Sequence, residues 1–302
     1  MRYLFYRVLA GCSKIFGPWL FALVSRGIAV GYFLFFPRRS AASARFYRVL
    51  FPGRRRWYAW WCAFRQFQNF TTVFLDRYLL QDPGAIAFTF EGRQHLIAAV
   101  TEGRGGILLM SHMGNWEAGA RLLRRNIPDL RLMLYMGRRA KEQIERLQKE
   151  DLAASGIRIL AADPAGGSAF DLVEGAAFLK SGGFVSMAGD MVWRPEQPGL
   201  SVRFLDHTVR LPEAPFMLAL VSRVPLYVFF AEKRGLRQYH FSVTGPLAVT
   251  AAGRDLRREA VQKAAQTYAG HLEDQVRRNP LEWYHFEPFL GPPSGPPPAD
   301  GH

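Results

Sequence analysis

The stretch GILLMSHMGNWEAG, residues 106–119, decides how the chain is read. Ile107 to Met110 form a short apolar run that stops at Ser111 and His112. Gly114 and Asn115 follow, and a helical pattern opens at Trp116. An apolar run of this length between turn residues predicts a buried strand. Asn115 stands where a helix N-cap is needed. In open α/β sheets ligands bind beyond the carboxyl ends of the strands, so His112 falls where a site is expected. Glu117 can meet His112 across the turn. A carboxylate beside an imidazole fixes its tautomer and stabilises its protonated form, as a general base requires. Gly114 allows a tight approach, and backbone N–H groups at the helix start can meet developing negative charge. The spacing of His112 and Glu117 alone favours a satisfied structural histidine.

Working outward, the same alternation recurs. LRLMLYMG, IRILAA and FVSMAGD read as strands, the last ending on Asp190. WEAGARLLRRN, a polar segment closed by Gly156, and AFDLVEGAAFLKSG read as helices between them. APFMLALVSR is helical, PLYVFFAEKR and QYHFSVTGPL read as paired strands, and a long amphipathic helix runs up to Pro280. Strands alternating with helices predict an α/β fold with a mostly parallel central sheet flanked by helices. No linker interrupts residues 85–290. The expected organisation is an N-terminal membrane anchor over 1–38, one catalytic domain over 39–290 and a disordered Pro/Gly-rich tail over 291–302.

Residues 15–36, IFGPWLFALVSRGIAVGYFLFF, have the length of a membrane span. Arg26 in the middle is costly there. The segment therefore reads either as an imperfect span or as a helix lying in the interface. Arg38, Arg39, Arg45, Arg48 and Arg54 to Arg56 follow, and the positive-inside bias then predicts the main domain on the cytoplasmic side. LAGC at 9–12 follows too short an apolar region for a signal peptide. Aromatic residues crowd 57–78, as a core-packed helix or a lipid-facing one requires.

The 302 residues carry a formal net charge of +14, which favours anionic partners. No nucleic-acid module is present, and neither the histidine spacing nor the two cysteines, Cys12 and Cys62, offer a metal-ligand set or a disulfide framework. No cofactor is expected.

SHMGNWE, LKSGGFVSMAGD, FLDHTVRLPEAPFMLAL and RRNPLEWYHFEPF together resemble the glycerolipid acyltransferase superfamily with its His-x4-Asp/Glu block. They are most similar to the branch containing the bacterial lipid A late acyltransferases. The resemblance implies an enzyme associated with a bacterial inner membrane, its catalytic domain on the cytoplasmic side. It moves a fatty acyl chain from an acyl-acyl carrier protein, or acyl-CoA, to a hydroxyl of a lipid or glycolipid such as a lipid A precursor. It implies His112 as catalytic base and Glu117 as its partner. It puts Arg138 and Asp190 on the family's basic and acidic blocks, to line the substrate site with Gly114 and Asn115 of the helix start. Met191 replaces the second residue of an Asp-Gln block, and Asp206 and Ala214 stand where relatives often carry glycine. These departures lean toward relatives of aryl-polyene or other glycolipid pathways. A lysophospholipid acceptor and a catalytically silent lipid-binding relative remain open.

Overall fold

The computed structural model describes residues 18–79, 86–137, 152–153, 155–162, 169–194, 196–235 and 237–294. Arg138 and Arg139, the expected polar helix after them, and the two ends of the chain lie outside the described residues. Three helices come first: α1 (Pro18–Phe35), α2 (Pro37–Leu50) and α3 (Arg56–Leu79). The α/β part follows as β1 (Ala87–Glu91), α4 (Arg93–Thr101), β2 (Gly106–Met110), α5 (Trp116–Asn126), β3 (Leu132–Gly137) and β4 (Arg158–Ala162). It continues through α6 (Ala169–Lys180), β5 (Phe184–Ala188), β6 (Gly199–Phe204), β7 (His207–Pro212) and α7 (Ala214–Ser222). It closes with β8 (Leu226–Gly235), β9 (Gln238–Leu247), α8 (Arg257–Arg278) and a 3-10 turn over Pro280–Glu282.

Seven strands form one sheet in the order β1-β9-β8-β2-β5-β3-β4. The pairs from β8 to β4 are parallel, while β9 runs antiparallel to β8 and carries β1 parallel to itself. The mostly parallel sheet expected from the sequence is thus present, with two reversed strands at one edge. Strand β2 is buried along its whole length, as a strand covered on both faces must be. Ile107 and Leu109 join the core on one face, Leu108 and Met110 the core on the other.

The β6–β7 hairpin is a second, two-stranded sheet with a two-residue turn at Leu205 and Asp206. Both turn residues have positive φ, 49° and 57°. Tight hairpins need that conformation, and aspartate tolerates it better than most side chains. Asp206 is therefore tolerated in this turn, and it pairs with Arg203 at 2.5 Å.

α1 to α3 pack on one another and on the C-terminal segment. Tyr47 donates its hydroxyl to the carbonyl of Pro280 at 2.8 Å, and Gln66 donates to that of Trp283 at 2.5 Å. The other side of this arm leaves Trp19, Leu34, Phe35, Trp57, Trp60 and Trp61 exposed. No single helix among the described residues is long and apolar enough to cross a membrane. Trp19–Phe35 and Pro37–Leu50 reach that hydropathy only together, and they are bent by 91° at their junction. Arg26 is exposed on α1.

Candidate active site

The register of β2 on β5 assembles the site. Met110 pairs with Ala188, so the residues two positions beyond each strand, His112 and Asp190, emerge side by side. Gly189 N–H donates to the Met110 carbonyl at 2.8 Å and prolongs the pairing. A side chain at Gly189 would meet the Tyr268 ring at 2.6 Å, so glycine is required at that step.

Asp190 is fully buried and accepts three hydrogen bonds. The backbone N–H of His112 reaches Oδ2 at 2.7 Å, and Trp283 Nε1–H reaches the same oxygen at 2.8 Å. His112 Nδ1 lies 2.8 Å from Oδ1. An ionised carboxylate only accepts, so Nδ1 carries the hydrogen and Nε2 is left as the basic nitrogen. Burial by itself pushes the Asp190 carboxyl up. The charge and hydrogen bond of His112, with the Trp283 donor, outweigh it and hold the group at about 2. Asp190 is then an anion at any physiological pH and favours a positive charge on His112. The His112 side chain remains 24% exposed, enough for a substrate hydroxyl to reach it. The Trp193 ring stands 6.4 Å from the imidazole.

Glu117 is buried in the first turn of α5, and its carboxylate accepts from Arg121 at 2.9 Å. The carboxylate on Nδ1 of His112 is that of Asp190, expected from the sequence on the substrate side. Strand pairing brings this distant acid onto Nδ1. Asn115 caps α5 as expected, accepting from Ala118 N–H at 3.0 Å. The Gly114 and Asn115 amides were expected to meet an oxyanion. They instead donate to the carbonyls of Glu282 at 2.7 Å and Ala231 at 3.1 Å. Gly114 has φ +61°, and a Cβ there would lie 1.7 Å from the Ala231 oxygen. Its close approach is to the backbone of β8, not to a ligand. Arg138 is outside the described residues.

The residues that sequence reasoning passed over are Trp283 and His285, quoted within the motif RRNPLEWYHFEPF but given no role. The signal for them lies in strand-like pairing of the segment with the His112 loop. Met113 bridges Trp283, and Tyr284 N–H donates to the His112 carbonyl at 2.8 Å. No group of three or more His, Cys, Asp or Glu side chains among the described residues could hold a metal ion.

The family model for bacterial lipid A biosynthesis acyltransferase matches residues 76–290. The chain belongs to that family and is an acyltransferase. No curated protein matches the chain. The family points to acyl transfer onto a lipid acceptor. The matched region begins near the end of α3, so most of the helical arm precedes it.

Proposed function

We propose that the protein transfers a fatty acyl group from acyl-acyl carrier protein to a hydroxyl of a glycolipid or related lipid at a membrane surface. The observation that carries this reading is the His112–Asp190 pair, a partly exposed imidazole whose Nδ1–H is held by a buried anion. His112 Nε2 takes the proton of the acceptor hydroxyl as its oxygen attacks the thioester carbonyl. A C–O bond forms, and the C–S bond then breaks. The departing thiolate receives the proton from the imidazolium. Asp190 stabilises that imidazolium throughout. The acceptor oxygen is the nucleophile, so no serine or cysteine is needed. With the Gly114 and Asn115 amides engaged, the oxyanion role passes to Arg138, which the family resemblance offers for it.

An acidic carrier protein suits the charge of +14. The exposed aromatic residues of α1 and α3, beside exposed Arg38, Arg45, Arg48 and Arg54 to Arg56, support seating in the interface of an anionic cytoplasmic leaflet. The bend between α1 and α2 favours such a seat over a straight span.

The test is transfer of a labelled acyl chain from acyl-acyl carrier protein and from acyl-CoA to extracted lipids, with His112→Ala beside the wild type. The variant is expected to fold and to lose about 10²- to 10⁴-fold in rate, as removal of a general base does. A folded variant that transfers at the wild-type rate overturns the mechanism.

A further inference from the structure

Gln66 lies on α3 in the helical arm, and no step of the acyl transfer uses it. It is buried, as is Trp283. The arm grips the chain from Pro280 to Trp283. Tyr47 donates to the Pro280 carbonyl at 2.8 Å, and Asn69 to the Leu281 carbonyl at 3.4 Å and the Glu282 carboxylate at 3.2 Å. Gln66 Nε2 donates to the Trp283 carbonyl at 2.5 Å. The Phe46 ring packs on Trp283 with ring centres 5.0 Å apart. The other side of the same segment holds the catalytic groups. Gly114 N–H donates to the Glu282 carbonyl at 2.7 Å, and Tyr284 N–H to the His112 carbonyl at 2.8 Å. Trp283 is extended, with φ −91° and ψ 106°, and its indole N–H reaches Asp190 at 2.8 Å. The planar peptide unit joining Trp283 to Tyr284 therefore turns its oxygen to Gln66 and its N–H to His112. One rigid unit spans from the arm to the catalytic base.

A carbonyl only accepts, so the Gln66 amide must turn its nitrogen toward Trp283. Its oxygen is then left buried, with no hydrogen-bond partner among the described residues. A buried acceptor with nothing to bind is costly. Beside the buried Cys62, Ala63 and Phe67 of the same helix, an apolar side chain would fill the place without that cost. What the glutamine offers in return is its grip on Trp283. A local choice that costs stability is expected where a function needs it. The geometry points to Gln66 as a positioning residue: it fixes the Trp283 main chain so that the indole N–H stays on Asp190 and Asp190 stays aligned with His112. The helical arm thereby takes part in turnover. This rests on the acyl-transfer reading and adds to it a residue that acts through Trp283.

The experiment uses the full chain in detergent micelles, with acyl-acyl carrier protein and, in parallel, acyl-CoA as donors and extracted lipids as acceptors. Gln66→Met removes both the donor and the unmet oxygen and keeps an unbranched side chain. Its urea-unfolding midpoint is expected to stay close to that of the wild type. Its kcat is expected to fall about tenfold with little change in KM for the donor, as misplacement of a catalytic group does. In a Trp283→Phe background the indole donor is already gone, and the same substitution is expected to cost no more than about twofold. A residue that only holds the fold together would cost as much in either background. An unchanged kcat in Gln66→Met, a change in KM alone, or equal losses in the two backgrounds overturns the proposal while leaving acyl transfer intact. Failure of the wild type to acylate any lipid overturns the acyl-transfer reading and this one with it.

Discussion

Two carboxylates, Asp190 fully buried and Glu282 half-buried, are displaced in opposite directions. Asp190 lies beneath His112 at the carboxyl ends of β2 and β5 and is held at about 2. Glu282 precedes Trp283 and lies beside Asn69 of α3 and near Lys233 of β8, where it is pushed up to about 7. Burial drives both upward, so burial does not distinguish them. The difference is in what each one holds. Asp190 has two fixed N–H donors on one oxygen and an imidazole on the other. Glu282 accepts from the Tyr284 hydroxyl at 2.7 Å and from Asn69 at 3.2 Å, both neutral groups. The nearby cation, Lys233, is directed at Asp76 at 2.6 Å, and the Asp76 charge opposes that of Glu282. A carboxylate that monopolises its donors stays charged and can serve catalysis. One that shares a cation with a second acid becomes a group whose protonation the fold favours.

The strongest way to break this contrast is Asp190→Asn. Two N–H groups converge on Oδ2, so the asparagine oxygen must take that place. Its NH₂ then faces His112 Nδ1, which becomes the acceptor, and the hydrogen moves to Nε2. The base is lost though the shape is kept. The expected fall in kcat is about 10²- to 10⁴-fold, with the far-ultraviolet circular dichroism unchanged. Glu117→Gln, beside Arg121, is expected to cost less than Asp190→Asn in the same assay. If the two rank in reverse, Glu117 is the acid that supports the imidazolium.

Trp283→Phe is a milder probe of the same side. It keeps most of the ring and removes one donor to Asp190. A hydrogen bond to a charged group contributes about 1.5–3 kcal/mol, and part of that loss falls on the imidazolium state. A drop of about tenfold in kcat with little change in KM is expected, the signature of an interaction strengthened in the transition state. A change in KM alone would assign Trp283 to substrate binding.

How far this was legible in the sequence follows from which contacts are local. GILLM, WEAGARLLRRN and FVSMA announce their elements by apolar runs bounded by Gly, Ser and Asn, and all three form where expected. The Asn115 cap is local and was readable. The contact of His112 with Asp190 was not, because it depends on β2 pairing with β5 while β3 and β4 lie beyond. A trace of it exists: in GILLMSH and FVSMAGD a polar residue stands two positions after the strand. Without the register nothing says that the two ends are neighbours. The β6–β7 hairpin was missed for a different reason. Its turn residues, Leu205 and Asp206, lack the glycine that marks such turns. The engaged amides of Gly114 and Asn115 could not be foreseen either, since their acceptors belong to β8 and to the 3-10 turn, more than a hundred residues away.

The smallest expected effect is on stability, and it sharpens the contrast from the side of Glu282. Its carboxyl is raised from 4.5 to about 7 in the fold, first by burial and further by Asp76, against the Tyr284 hydrogen bond and Lys233. Between those values the folded chain binds a proton that the unfolded chain has released. The contribution to stability is full below 4.5 and is lost as pH rises through about 7. The whole displacement corresponds to at most about 3 kcal/mol. Glu282→Gln removes the titration, so urea-unfolding free energy should fall less steeply between about pH 5 and about pH 8 in the variant. The amide can accept from only one of Tyr284 and Asn69 through its oxygen, so the variant should be the less stable at the acid end. At the alkaline end the gap should close or reverse. Asp190, already an anion throughout this window, cannot supply such a slope. Parallel curves for wild type and variant would mean that Glu282 titrates as an ordinary carboxylate, and that the cluster with Lys233 and Asp76 does not set its proton affinity.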